Sequence, residues 1–380
     1  MSVEAPSAVA RLTWHYEHPF EKAKEEARKG RPVAGVTSNT VPWELLRAAG
    51  YFPLMLNPSR GPFPFADRFM EDGVFGIRMR GIFDGLVSRA WPFLKMVVIP
   101  RTSEQEHKLF LYLREVARQR FADSLPDLYL YNLLHARSCE AEAYGLERTR
   151  ELKRYLEARI GHEIEPADFV CAAEESNQAS RAIRRLLDLR QGAEPRLTGT
   201  EALPLIGAVY FMERAEYARL ADEAADELSL RPPVRGARIL VKGSPLHHTG
   251  LHRAIEKHWA VVVAEDDWWG SRSIPKEIPR NGDAVRSIFE TYYFDAPSPR
   301  VFPCRVAYEW FLATADTVDG VVFYLPPEDD VLGWDYPGLR KTLDQRGIPS
   351  LLVREDAAED LSAECHQRIE EFICRISRGS

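Results

Sequence analysis

The stretch ARILVKGSPLHHTGLHRAIEKHWAVVVAEDDWWGSR, residues 237–272, decides the fold that we predict for this chain. Apolar runs at 237–242 and 260–264 are typical of buried strands, and residues 250–258 between them have helical spacing. A strand, a helix and a second strand make a βαβ unit, so the two strands are expected to be parallel. Polar loops then leave the carboxyl ends of adjacent strands, where open α/β sheets bind ligands.

The same alternation of strands and helices occurs in the first and last thirds of the chain. Eight apolar runs predict strands, at 32–38, 51–57, 96–100, 128–133, 237–242, 260–264, 319–325 and 348–353. The middle has no good strand, and its spacing predicts helices over 140–160, 166–191 and 200–228. We therefore predict an α/β protein with two Rossmann- or flavodoxin-like halves, each with a parallel sheet, joined by a helical segment. The predicted domains are 1–135, 136–232 and 233–380.

Charge and hydropathy exclude several classes of partner. The net charge is −7 and no run of Lys or Arg stands out, which argues against nucleic acid and anionic membranes as partners. No apolar run approaches the roughly 20 residues of a membrane helix. The N-terminus lacks the pattern of a signal peptide, so we expect a cytoplasmic protein.

Cysteine and histidine provide no obvious metal site. The five cysteines contain no CxxC pair, and we expect reduced, mostly buried thiols. His248 and His252 would share a helix face, but no carboxylate–histidine motif accompanies them. We interpret the histidines at 247, 248 and 252 as solvated, with metal binding as the alternative.

Candidate site residues follow predicted strands: Ser38, Ser244, Asp266, Trp268 and Arg272. Ser38 would either cap the helix that begins near residue 41 or donate a hydrogen bond to a substrate carbonyl. Trp268, paired with Trp269, would be a core anchor or an apolar wall for an acyl chain or adenine ring. Arg272 could then reach an anionic group of the same ligand.

Three adjacent acids, Glu328, Asp329 and Asp330, follow the strand predicted at 319–325. Acids after a strand and two prolines are most often a helix cap in a solvated loop. The alternative is a hard-metal or acid/base site.

Four segments resemble the subunits of 2-hydroxyacyl-CoA dehydratases and the related class I benzoyl-CoA reductases. They occur in the order and spacing of that family, and the second half is the more specific part. The segments are GVTSNTVPWELLRAAGYFPLML (35–56), FLKMVVIPRTSE (93–104), KGSPLHHTGLHRAIEKHWAVVVAEDDWWGSR (242–272) and GVVFYLPPEDDVLGWDYPGLRKTLDQRGIPSLLVRED (320–356). The family fold, two α/β halves with helices between them, agrees with the prediction above.

The resemblance implies a 4Fe–4S cluster held by cysteines from strand-end loops, but this chain lacks those cysteines. The implied positions are occupied by Phe75 and Gly76, by Ser103 and by Asp329, and a further common cysteine is replaced by Trp268. Iron–sulfur clusters need thiolates. We therefore expect no cofactor in this chain and a cluster in a homologous partner.

The resemblance implies a function in an acyl-CoA dehydratase (a lyase) or reductase. The chain would be the cluster-free subunit of a heterodimer that binds acyl-CoA. Ser38 and Asp266 would be catalytic, and Ser244, Arg272 and Trp268 would bind the substrate. The alternatives are a stand-alone enzyme and a non-catalytic assembly subunit, with a hard-metal site at residues 328–330 in place of the cluster.

Overall fold

The computed structural model describes residues 6–58, 61–71, 73–121, 125–273, 276–280, 282–356 and 361–377. Its strands are β1 Val33–Val36, β2 Phe52–Met55, β3 Leu94–Pro100, β4 Asp127–Tyr131, β5 Ala237–Gly243, β6 Ala260–Asp266, β7 Gly320–Tyr324 and β8 Ser350–Val353. Its first eight helices are α1 Ala8–Glu17, α2 Glu21–Arg28, α3 Trp43–Ala48, α4 Pro64–Phe69, α5 Ile77–Val87, α6 Glu104–Arg118, α7 Cys139–Ile160 and α8 Pro166–Gln191. The others are α9 Gly199–Gly207, α10 Arg214–Ser229, α11 Gly250–Glu256, α12 Ala284–Asp295, α13 Cys304–Ala315, α14 Asp330–Gln345 and α15 Ala363–Ser377.

The strands form two parallel four-stranded sheets with the same order. The first sheet runs β2-β1-β3-β4 and the second runs β6-β5-β7-β8. This order is that of a flavodoxin-like sheet up to its fourth strand, and it places a topological switch point beside β1 and beside β5. The predicted fold class, two parallel α/β halves with helices between them, is confirmed.

Burial explains why the strand predictions succeed. All residues of β1 and of β6 are buried, as expected for strands covered by helices on both faces. Two predicted helices are each divided. The charged pattern of residues 15–30 predicts one helix ending at Gly30, but the structure has α1 and α2 separated at His18–Phe20, where Pro19 removes a backbone donor. The helix predicted over 200–228 is divided by a 3₁₀ turn at Ala208–Tyr210.

The hydrophobic core joins the first sheet to the helical segment. One buried cluster contains residues of the first sheet and of α8 to α10, together with Trp268, Trp269 and α12. Two smaller clusters cover the two faces of the second sheet. The domain boundaries at 135 and 232 stay a prediction. In the part of the chain that the structure describes, no helix combines the length and apolar character needed to cross a membrane.

Candidate functional site

A cavity of about 540 Å³ lies where the carboxyl ends of the two sheets meet the N-termini of α5 and α6. Parallel strands bring the loops at one edge of a sheet together, which explains why residues distant in sequence share this space. The cavity is lined by the predicted residues Ser38, Ser244, Asp266, Trp268, Arg272, Glu328 and Asp329.

Ser38 belongs to a buried group of hydroxyls after β1. Its Oγ lies 2.8 Å from Oγ1 of Thr102, which also contacts the hydroxyl of Thr40. Ser38 does not cap the next helix. The N-cap residue of α3 is Pro42, which makes no side-chain hydrogen bond. The hydroxyl of Ser38 therefore faces the cavity and the loop after β3.

Asp266 lies at the end of β6 between two cations. Lys242 Nζ donates to its Oδ2 over 2.5 Å, and Arg272 Nη1 donates to its Oδ1 over 2.9 Å. Burial alone would raise the pKa of Asp266, but the two cations outweigh burial and hold that pKa below its usual value. Both carboxylate oxygens are therefore engaged and ionised.

Ser244 lies on the loop after β5 and is positioned by close strand packing. A Cβ at Gly243 would lie 1.8 Å from the carbonyl oxygen of Tyr324, so only glycine allows β5 to approach β7 here. The hydroxyl of Ser244 donates to Asp329 Oδ2, and Asp329 Oδ1 accepts from the backbone of Leu332 as the cap of α14. Asp329 therefore acts as the helix cap that the sequence predicts, and it joins two strand-end loops.

Trp268 is buried beside the cavity by the turn that follows β6. Asp267 holds this turn, since its Oδ1 accepts from the amides of Trp269 and Gly270. Burial, with Glu265 adding to it, raises the pKa of Asp267 to about 7. The rings of Trp268 and Trp269 are stacked with centroids 4.9 Å apart. Trp269 is a core anchor, whereas Trp268 also contributes apolar surface to the cavity.

Sequence reasoning missed several charged residues that line the cavity, above all Arg78, Glu106 and Lys242. Glu106 accepts from the Thr37 hydroxyl over 2.7 Å, and burial raises its pKa. The signal for Lys242 was present, because a lysine at the end of an otherwise apolar strand needs a buried partner. Glu106 belongs to the capping box Ser103-x-x-Glu106 at the start of α6, a pattern that the sequence shows. Nothing in the local pattern of Arg78 distinguishes it from a surface residue.

Cysteines are placed differently from our expectation. Cys365 is buried, whereas the other four, Cys139, Cys171, Cys304 and Cys374, are exposed. The expectation of mostly buried thiols is therefore wrong. Only Cys304 among the described residues brings a thiol to the cavity.

A 4Fe–4S cluster on three cysteines does not fit this donor set. Gly76, Ser103, Asp329 and Trp268, at the positions that the resemblance implies, all line the cavity, and none of them offers a thiolate. Phe75 is packed in the core. The described lining of the cavity therefore offers no cysteine at the positions that the resemblance implies.

The alternative metal sites find no support in the described residues. Over the described ranges, no three His, Cys, Asp or Glu side chains are grouped so that they could hold a metal ion. The side chain of Asp330 lies outside the described part of the structure. His252 is fully buried with Nε2 2.8 Å from Glu265 Oε1, so the interpretation of this histidine as solvated is wrong.

Comparison with known proteins agrees with the resemblance. A family model described as "2-hydroxyglutaryl-CoA dehydratase, D-component" matches residues 39–375. The beta subunit of (R)-2-hydroxyglutaryl-CoA dehydratase of Acidaminococcus fermentans is 21% identical over 351 residues, which cover 88% of this chain and 89% of the relative. The (R)-phenyllactyl-CoA dehydratase beta subunit of Clostridium sporogenes is 22% identical over 164 residues, 42% of this chain and 44% of the relative. This chain belongs to the 2-hydroxyglutaryl-CoA dehydratase D-component family.

Proposed function

We propose that this chain is a subunit of a 2-hydroxyacyl-CoA dehydratase-like enzyme and forms part of its acyl-CoA cleft, while a homologous partner carries the iron–sulfur cluster. The supporting observation is the cavity. It joins the Ser38 hydroxyl of the first half to the Trp268 and Arg272 side chains of the second half. Its described lining contains one thiol, that of Cys304, which is too few for a cluster.

The names of the two relatives support a heteromeric enzyme, because each relative is described as a beta subunit. Those names describe different acyl groups, one with a second carboxylate and one with an aromatic ring. They therefore do not select the acyl group for this chain.

Ser38 is our candidate for binding the thioester carbonyl. Its Oγ lies 2.8 Å from the hydroxyl of Thr102, and either oxygen can be the donor. When Thr102 donates, the Ser38 hydrogen is left for a ligand. Ser244 is less suited to that role because its hydrogen is already donated to Asp329.

Arg272 would pair with a phosphate or acid group, and Trp268 would pack against the acyl chain. The Arg272 side chain is about one-fifth exposed, at 21%, and one of its nitrogens is held by Asp266. Asp266 is in this proposal a positioning residue that orients Arg272 and Lys242. Both of its oxygens accept hydrogen bonds from these cations, so we assign Asp266 no role in proton transfer.

Binding of butyryl-CoA to the complex purified with its native partner tests the cleft. We expect Ser38→Ala and Arg272→Ala each to weaken binding about tenfold, as expected for the loss of one hydrogen bond to a charged or polarised group. Ser229→Ala and Arg219→Ala, on the exposed end and face of α10, are the matched controls. Unchanged affinity in both cleft variants would contradict the proposal.

A second test measures iron and acid-labile sulfide in the chain purified alone under strictly anaerobic conditions. It asks whether this chain itself holds an iron–sulfur cluster. We expect neither iron nor sulfide above background. About four of each per chain, the content of a 4Fe–4S cluster, would show that this chain holds the cluster itself.

A further inference from the structure

Three arginines from both halves of the protein converge at the edge of the cavity. Arg101 follows β3, Arg137 lies between β4 and α7, and Arg300 lies in the segment between α12 and α13. Nη2 of Arg101 lies 3.4 Å from Oε1 of Glu104, and Nη1 of Arg300 donates to the same oxygen. Burial, together with Arg137 and Arg101, lowers the pKa of His135 between them to about 4. We call Arg101, Arg137 and Arg300 the arginine rim.

The arginine rim carries more positive charge than its described surroundings neutralise. Among the described acids, Glu104 alone pairs with Arg101 and Arg300, and none lies within 4.0 Å of the Arg137 guanidinium. Arg137 donates instead to the carbonyls of Tyr293 and Phe294. Nε of Arg101 is buried and has no acceptor in the described part of the chain. Three cations around one carboxylate therefore leave room for a further anion.

The positive surface continues into the cavity. Glu104, Lys108 and Arg137 all line it, and Arg300 lies between the lining residues Pro299 and Val301. Lys108 follows Glu104 by one turn of α6 and is exposed. Cations of one sign beside a cleft concentrate anionic ligands, and a guanidinium matches phosphate oxygens in two-point geometry. The edge of the cavity therefore favours a phosphate.

Glu104 can give way to such a phosphate at little cost. Its side chain is 47% exposed, so its ion pairs with Arg101 and Arg300 lie close to solvent. Exposed ion pairs contribute little to stability. Arg272, deeper in the cavity, is less suited to a phosphate because the buried carboxylate of Asp266 already holds it.

Two exposed phenylalanines flank the arginine rim. Phe302 is 68% exposed and Phe294 is 53% exposed. The amide of Arg137 donates to the carbonyl of Phe302 over 2.7 Å, and the Arg137 guanidinium carbon lies 5.3 Å from the ring centre of Phe294. Exposed aromatic rings next to cations suit a nucleotide, because the base stacks on a ring while the phosphates pair with the cations.

We propose that the arginine rim binds the phosphates at the 3′-phosphoadenosine end of the coenzyme, with the adenine ring against Phe302. This inference rests on the proposed acyl-CoA cleft and adds a second binding region to it. The acyl end lies deep, beside Ser38 and Trp268, whereas the nucleotide end lies where Arg101 of the first half meets Arg300 of the second. The nucleotide would then hold the two halves together at this edge.

The test measures binding of adenosine 3′,5′-bisphosphate to the complex purified with its native partner. We expect Arg300→Gln to weaken this binding at least about tenfold, because a charged pair with phosphate is lost. Glu104→Gln should strengthen it about threefold, because the carboxylate that competes for the same guanidinium groups is removed. Arg219→Gln and Glu223→Gln, which break an exposed ion pair on α10, are the matched controls.

Phe302→Ala tests the adenine contact separately. It should weaken binding of adenosine 3′,5′-bisphosphate about fivefold, as expected for the loss of one stacked ring, and leave binding of inorganic pyrophosphate unchanged. Equal affinity of this variant and the wild type for the bisphosphate would overturn the placement of the adenine.

Binding of butyryl-CoA to the same complexes distinguishes this inference from the function on which it rests. Unchanged bisphosphate affinity in Arg300→Gln and Glu104→Gln, with butyryl-CoA still bound by the wild type, overturns the phosphate site and leaves the acyl-CoA cleft intact. Failure of the wild type to bind either ligand overturns both proposals. Loss of the native partner from Arg300→Gln, with bisphosphate affinity unchanged in the chain that remains, overturns the phosphate site in favour of a protein contact. If Arg300→Gln does not fold, Glu104→Gln decides, since breaking a merely structural ion pair would not strengthen binding.

Discussion

Glu328 lies directly against Gly76 across the cavity. A Cβ at Gly76 would be only 2.7 Å from Oε1 of Glu328. Gly76 precedes α5 in the first half, and Glu328 belongs to the loop after β7 in the second. The absence of a side chain at residue 76 therefore lets a carboxylate from the other half occupy this place, and burial raises the pKa of Glu328 there.

Gly76→Ala is expected to displace the Glu328 side chain at modest cost. The clashing atom is the end of a flexible side chain, so the free energy of unfolding should fall by about 0.5–1 kcal/mol. Glu328→Ala should remove most of that penalty in the double mutant, because the two residues are in contact. Urea unfolding of the four proteins measures this coupling. Gly333→Ala, in open space on α14, is the control, and additive effects of the two substitutions would contradict the contact.

The strands and their loops could be predicted because parallel α/β sheets have a local signature. Each buried strand is a short apolar run, and β6 with its seven buried residues is the clearest example. Breaks within helices were harder to predict. Pro204 lies inside α9 and the chain then turns through 208–210, but the periodicity continues across the break.

The site was predictable only as far as topology dictates it. Ser244 and Asp266 lie together because the carboxyl ends of β5 and β6 share one edge of the second sheet, and Ser38 lies at the corresponding edge of the first sheet. Arg78 and Glu106 could not be found this way, since helix packing brings them to the cavity. The buried ion pair between Arg190 and Glu265 could not be predicted either, because the two residues are 75 positions apart and no local pattern indicates their contact.

Replacing Arg190 should strongly destabilise the protein. Its two terminal nitrogens donate to the two Glu265 oxygens, each over 2.7 Å, and both side chains are fully buried. Arg190→Met leaves the buried Glu265 carboxylate with His252 and Ser271 as its side-chain hydrogen-bond partners among the described residues. We therefore expect the free energy of unfolding in urea to fall by about 3–5 kcal/mol.

Arg185 on the same helix is the matched control for Arg190. Its side chain is 47% exposed and pairs with Asp222 and Asp226 on the surface. Arg185→Met should therefore cost no more than about 1 kcal/mol. Losses of similar size in the two variants would mean that the buried pair contributes no more than a surface one.

Asp267 should make the protein less stable as the pH rises. Its pKa is raised from 3.8 to about 7 in the folded state, mainly by burial. Between these values the folded state binds more protons than the unfolded state, so stability is present below about pH 4 and is lost as the pH rises through 7. The shift sets an upper limit of about 4 kcal/mol for this loss.

Asp267→Asn isolates that contribution because asparagine does not titrate. At pH 4, where the raised pKa of Asp267 stabilises the wild type most, we expect the variant to be less stable than the wild type. The difference in the free energy of unfolding should shrink toward pH 8. His135, whose pKa burial lowers to about 4, has the opposite pH slope, but it is present in both proteins and cancels in the difference. Chemical unfolding at intervals of one pH unit measures the difference, and a constant offset across the range would refute the assignment.

Ligand binding should protect Cys304 from alkylation and leave the other thiols unaffected. Cys304 lines the cavity at the start of α13, whereas Cys139, Cys171 and Cys374 are exposed elsewhere. Cys365 is buried, and burial raises the pKa of its thiol, so it should react slowest of the five. In iodoacetamide labelling followed by peptide mass spectrometry, saturating butyryl-CoA should slow Cys304 at least about fivefold, since the labelled fraction follows the ligand-free population. Cys139 and Cys374 are internal controls within the same sample. Equal labelling of Cys304 with and without the ligand would place the acyl-CoA outside this cavity.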